Sequence, residues 1–237
     1  MWSVLIVLLG IVFGCLSGDT NDNLCDLLEL EIYEQGVSKA NAALIVQRHN
    51  FYRQSVMNGT VPGQPRGRNI RYLRWDKTLA RTAQEVADTC YFRHKTVVDD
   101  RWRYKVGQSI YRTEKPFYAL EGGNWTRAVE RWYLEYKLYR YGPIHMDYDR
   151  TGHYTQLIWD RTYLIGCGFI AFENERDSIN DIAEIHVCHY GPPGNRFSHY
   201  PYRLSRGPQF DAADNAVDNE YLGEYYDEYL GDVFNYK

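Results

Sequence analysis

The chain lacks a strong charge of either sign: 27 basic and 31 acidic residues in 237 leave a net −4. That excludes the basic field on which nucleic-acid binding depends. Past residue 16, no apolar run approaches the ~20 residues of a membrane span. There is no C-x-x-C pair, so neither a zinc ribbon nor a dithiol redox motif is indicated. There is no H-E-x-x-H helix and no recognisable Ser-His-Asp order. What is abundant is aromatic: Trp 6, Tyr 22 and Phe 9. With 44% hydrophobic and 24% charged residues, the composition excludes a wholly disordered chain, a coiled coil and a collagen-like repeat. The length fits one domain with extensions.

The charge is unevenly spread. Residues 207–237 hold eight acids against Lys237, a net −7, which leaves +3 for the rest. This tail repeats Tyr-Leu-Gly-acid at Tyr221 and Tyr229 and has no apolar stripe, so residues 201–237 read as an acidic, tyrosine-rich, disordered tail. Its tyrosines, flanked by acids, are candidates for sulfation. At the other end, residues 2–16 form an apolar run broken only by Ser3 and followed by Ser17 and Gly18. Residues 1–18 read as a secretory signal. The rivals are a buried first helix and a lipid-modified Cys15.

Beyond the signal remain Cys25, Cys90, Cys167 and Cys188, an even number consistent with two disulfides in any of three pairings. Asn58 and Asn124 stand in N-x-Thr sequons. Ser38 is placed to cap a helix over 39–57, and Asp76 to cap a second. In that second helix Leu79, Ala80, Ala83, Val86, Ala87 and Cys90 make one apolar stripe. Residues 58–69, rich in glycine and proline, read as a loop, and 95–123 as a mixed segment of little periodicity. A third helix is expected over 126–139, then strands over 164–172 and 184–190. Helices followed by paired strands give an α+β domain with an antiparallel sheet.

Two strings are long and specific: Gly152-His153-Tyr154-Thr155-Gln156-Leu157-Ile158-Trp159 with Gly166-Cys167-Gly168, and His186-Val187-Cys188-His189-Tyr190-Gly191-Pro192-Pro193-Gly194-Asn195. They resemble the signature motifs of the CAP superfamily of cysteine-rich secretory, antigen 5 and pathogenesis-related 1 proteins. Upstream, His49-Asn50-x-x-Arg53, Leu73-x-Trp75-Asp76-x-x-Leu79-Ala80-x-x-Ala83-Gln84 and Cys90-x-Phe92-x-His94 resemble the family's first two helices and the segment after them. The resemblance covers about residues 40–195, and is nearest in kind to the antigen 5 and venom-allergen-like branch. It implies a three-layer α-β-α sandwich around a central antiparallel sheet. It also implies the pairings Cys25–Cys90 and Cys167–Cys188. The domain expectation is an N-terminal extension at 19–38 and the CAP domain at 39–200.

The resemblance further implies a cleft built on two histidines and two glutamates. Carried onto this chain the histidines are His94 and His153, and one acid is Glu135. The other acid falls in a Gly-Glu-Asn-Ile segment that here reads Gly107-Gln108-Ser109-Ile110, so Gln108 replaces it. A neutral amide takes no proton near neutrality. The chain is therefore expected not to be an enzyme and to require no cofactor, with a divalent metal such as zinc as an option at the histidine pair. His49, His145, His186 and His189 show no metal spacing, and His186 and His189 are expected on a strand and in the following turn. The resemblance also attributes sterol binding to the segment after the third helix. Here that segment offers Tyr139, Tyr141, Ile144, Met146 and Tyr148 as a mobile apolar surface with hydroxyls. A fatty acid beside the first helix is a further family ligand that nothing in 39–57 singles out.

The leading expectation is thus a secreted protein that binds a sterol or other small lipid and acts outside the cell as an allergen or immune modulator. One alternative is a metal-dependent hydrolase using His94, His153 and Glu135. Another is a protein-interaction ligand whose acidic tail meets a host or extracellular receptor.

Overall fold

The computed structural model describes residues 23–102, 105–117, 122–145, 148–174 and 181–205. The signal at 1–18, Cys15, the tail beyond 205, Met146 and the side chain of Tyr148 lie outside the described residues.

A long helix, α2 (Lys39–Asn58), follows a short one, α1 (Leu24–Leu27), and a strand, β1 (Ile32–Gln35). The Ser38 side chain caps α2 by accepting from Asn41 N, and Gly59 closes it in the left-handed region. Two short strands, β2 (Gly67–Arg68) and β3 (Arg74–Trp75), lead into α3 (Lys77–Ala87). The Asp76 carboxylate caps α3 on Leu79 N. Next comes β4 (Gly107–Lys115) and then α4 (Trp125–Leu134), capped by the Asn124 side chain on Arg127 N. The remaining elements are α5 (Gly152–Leu157), β5 (Leu164–Glu173), β6 (Ile182–Gly191) and β7 (Arg203–Leu204).

The main sheet runs β1-β5-β6-β4, antiparallel throughout, with β3 added parallel to β5. Both faces are covered. On one, Ile165, Cys167, Phe169 and Tyr190 meet Ile45 and Val46 of α2, Trp125 and Trp132 of α4, and Leu157 of α5. On the other, Ile170, Phe172, Ile185 and Val187 meet Ala83, Val86 and Ala87 of α3. The result is the expected α-β-α sandwich. Cys25 bonds Cys90, and Cys167 bonds Cys188 across the β5–β6 pair, as the resemblance implied.

Glycine in the Gly166-Cys167-Gly168 string has a packing cause. A Cβ on Gly166 would fall on the backbone of Ala80, and one on Gly168 on that of Gln84. The bare strand lets α3 lie against it, and the Gln84 amide then bonds both Phe169 N and Phe169 O, at 2.9 and 2.8 Å. Gly168→Ala is expected to lower stability by about 2–4 kcal/mol, since backbone rather than a flexible side chain must move. Urea unfolding against wild type measures it, and a loss under about 0.5 kcal/mol would contradict the packing argument.

Several expectations need correction. The segment 95–123 contains the nine-residue strand β4, whose polar edge composition hid it. The folded unit reaches beyond 39–200 at both ends. Residues 32–35 supply β1, while Tyr202 is 1% exposed and β7 pairs with β2. The third helix ends at Leu134, and a 3-10 turn, Glu135–Lys137, replaces its last part. His189 lies within β6, opposite Gln108 of β4, not in a turn. Asn58 ends α2 instead of opening the loop, and both it and Asn124 are exposed. No helix among the described residues is long and apolar enough to cross a membrane.

Candidate functional site

Four elements bring the cleft residues together. His94 lies on the segment between α3 and β4, and Gln108 is the second residue of β4. Glu135 sits where α4 gives way to its 3-10 turn, and His153 is the second residue of α5. The His94 and His153 rings lie 6.2 Å apart at an interplanar angle of 28°, and His153 lies 6.1 Å from the Trp132 ring. Around them opens a cleft of about 870 Å³.

Gln108 ties together three partners, and its orientation follows from one of them. Lys95 N donates to Oε1 and Lys95 O accepts from Nε2, both at 3.2 Å. With the amide so fixed, the His94 contact of 2.8 Å to Oε1 requires a proton on His94 Nδ1. The 2.8 Å contact from Nε2 to His189 Nε2 requires a lone pair there. His189 then carries its proton on Nδ1, which reaches Thr82 Oγ1 at 2.9 Å, while the Thr82 hydroxyl donates to Leu79 O. Burial holds the His189 ring neutral, with its pKa pushed down to about 3. Thr82, His189, Gln108 and His94 thus form one directed chain of hydrogen bonds. His189 belongs to this network, yet only its strand register, not its spacing from the other histidines, brings it there.

Glu135 is equally committed. His153 Nδ1 donates to Oε1 at 2.7 Å, and the backbone amides of His153 and Tyr154 donate to Oε2 at 3.0 and 3.1 Å. Both Nδ1 atoms of the histidine pair therefore have partners, and Nε2 is the remaining ring nitrogen of each. A divalent ion would take these two atoms, with Gln108 and Glu135 orienting the rings from behind. Among the described residues no cluster of three or more His, Cys, Asp or Glu completes such a site. The donor set therefore fits a weakly held ion at most.

The two signature strings are joined by side chains. Gln156 Oε1 accepts from Gly194 N at 2.9 Å, Asn195 Nδ2 donates to Gly152 O at 2.8 Å, and the Thr155 hydroxyl lies 2.7 Å from Asn195 Oδ1. They pin α5, and with it His153, to the loop after β6. His49 serves the core: its ring bridges Ile45 O and the Tyr190 hydroxyl, and burial lowers its pKa to about 4.

The aromatic segment differs from expectation. Tyr139 Oη donates to Gly142 O and Tyr141 Oη to Tyr202 O, each at 2.7 Å. Ile144 is 2% exposed, and its backbone exchanges bonds with Ser198 and His199. These three residues pack inward, because the hydroxyls find carbonyls and the Tyr139 ring finds that of Tyr154. The apolar surface beside them belongs instead to Tyr200, 5.3 Å from the Tyr141 ring, and to Phe197, which lines the cleft; both are more than half exposed.

Comparison with known proteins agrees with this architecture. The model of the cysteine-rich secretory protein family, CAP, matches residues 46–190. Venom allergen 5 of Tityus serrulatus is 32% identical over 181 residues, covering 72% of this chain but only 42% of that protein's length. Venom allergen 5.02 of Vespa crabro is 35% identical over 167 residues, covering 68% of this chain and 78% of its own. Among solved structures, that of BmVAL-1 superposes with a TM-score of 0.58 at 27% identity, covering 71% of this chain and 84% of its own.

Proposed function

This chain belongs to the CAP family of cysteine-rich secretory proteins, and on that premise we propose that it is an extracellular binding protein that holds a small ligand without converting it. The observation that carries this reading is the commitment of the cleft's polar groups. Glu135 accepts three hydrogen bonds, and Gln108 makes four and takes no proton. Gln108 takes no proton, and three of the four acceptor sites of Glu135 are spent on orienting His153 and Tyr154, so acid–base chemistry would fall to the histidine Nε2 atoms without a second carboxylate beside them. The names of the relatives, venom allergens, support action on another organism as an allergen or immune modulator.

The ligand class expected from the family resemblance is a sterol or similar lipid. Tyr200 and Phe197, with the tyrosines behind them, supply an exposed aromatic face beside the cleft. Burial of apolar area at about 25 cal/mol per Å² suffices for micromolar affinity after association costs. Titration with cholesterol should saturate in that range and weaken on Tyr200→Ala. Absence of saturable binding rejects the sterol reading while leaving the cleft argument intact.

Gln108→Glu separates binding from catalysis. A carboxylate cannot donate to Lys95 O and meets the His189 lone pair, so the change should lower stability by about 1–3 kcal/mol. The added negative charge should at the same time strengthen zinc binding at His94 and His153. Calorimetry with zinc and urea unfolding read the two effects. Stability equal to wild type would mean that Gln108 is not the tie described above.

A further inference from the structure

We propose that the cleft seats a phosphate or sulfate ester of a small organic molecule, with the oxyanion among its cations and the organic part against Phe197. The inference rests on reading the cleft as a binding site but not on the sterol. Among the described residues, the cations Lys95 and Lys105 line the cavity together with Arg196, and Asp149 is the lining carboxylate. Both lysines are exposed. The Glu135 carboxylate, behind His153, is engaged by His153 and Tyr154. An acid at position 108 would stand among these cations, and Gln108 removes it.

The lysine ammonium groups fit such a ligand, because hydrogen bonds from cationic donors to oxyanions are stronger than neutral ones. The lining also includes the apolar residues Val106, Pro193 and Phe197, and Phe197 is 59% exposed. A bare inorganic ion leaves the Phe197 ring uncovered, whereas an aryl or acyl ester can cover it. The volume of about 870 Å³ accommodates such a molecule.

Calorimetric titrations with inorganic phosphate, phenyl phosphate and monomeric dihexanoyl phosphatidate test the proposal. Wild type should bind phenyl phosphate saturably, and about tenfold more tightly than inorganic phosphate. Phe197→Ala should remove that margin. Lys95→Ala with Lys105→Ala should weaken every anion by about tenfold or more, with folding checked by circular dichroism. Gln108→Glu should weaken anions while strengthening zinc. Phosphatidate binding more tightly than phenyl phosphate identifies a lipid headgroup as the source, and equal or weaker binding identifies a soluble ester. The proposal is overturned if no probe binds saturably at 10 mM, a ceiling of about −3 kcal/mol, or if the double lysine variant binds like wild type. Because cholesterol is titrated separately, loss of either reading is visible without loss of the other.

Discussion

Replacing Arg53 with methionine is expected to unfold the chain, or to lower its stability by at least about 4 kcal/mol. Arg53 is wholly buried in α2, and among the described residues no carboxylate pairs with its guanidinium. Instead its nitrogens donate to four carbonyls, those of Arg71, Leu157, Trp159 and Thr162, at 2.7–2.8 Å. Burial lowers its pKa to about 9, so it stays charged near neutrality. Methionine retains the apolar stem but supplies none of the four bonds. The segments it leaves dry are the approach to β3 and the exit from α5, so the defect reaches the support of His153. Arg53→Lys keeps the charge without the planar fork and should fall between wild type and Arg53→Met. Urea unfolding followed by circular dichroism gives the values, and a loss below about 1 kcal/mol would refute this account of the core.

Acid should unfold the protein while many of its carboxylates are still ionised. Burial lowers the pKa of His49 to about 4 and those of His186 and His189 to about 3. All three rings are therefore neutral when folded, against about 6.5 in the unfolded chain. Above that pH neither state binds the proton, and stability is complete. As pH falls through it, the unfolded chain gains up to three protons that the native state refuses. Stability then drops by up to about 4 kcal/mol per pH unit. Asp160 and Glu184, whose carboxyls burial pushes up, act in the opposite sense and soften the slope. The chain should unfold between about pH 4 and 5, given the usual total stability of about 5–15 kcal/mol. His186 isolates one share. It is buried against Trp125 and Phe169, and its ring nitrogens make no well-formed hydrogen bond among the described residues. His186→Leu should stabilise at pH 5 by about 2 kcal/mol more than at pH 8. Stability that stays flat between pH 7 and 5 would contradict the assignment of these rings.

Much of the fold was legible because its signals are local. The side chains of Ser38 and Asp76 cap helices one residue later, and the stripe from Leu79 to Ala87 packs on the sheet. The central strands were found with shorter ends, because β5 and β6 are buried on both faces and alternate little. The strand β4 was missed for the converse reason: an edge strand of Gln, Ser, Thr, Arg, Glu and Lys carries no apolar run. Edge strand β1 needs a partner far along the chain, β5, and local pattern cannot supply it.

The cleft divides in the same way. His94, Gln108, Glu135 and His153 were identified from motif resemblance, and the structure brings them to one cavity wall or directly behind it. His189 escaped because only the β4–β6 register places it against Gln108. The inward turn of Tyr139 and Tyr141 escaped because composition cannot distinguish a hydroxyl that meets a carbonyl from one that meets water. The lysines and Arg196 of the cleft come from separate loops, and no sequence spacing unites them.

The central claim is that this cleft holds its ligand and leaves it chemically intact. Incubating the purified chain with a mixed peptide and ester library, and following bond cleavage by mass spectrometry, tests it most directly. The account predicts no cleavage above that of a His153→Ala control. Cleavage by wild type that disappears in His94→Ala or His153→Ala would contradict it.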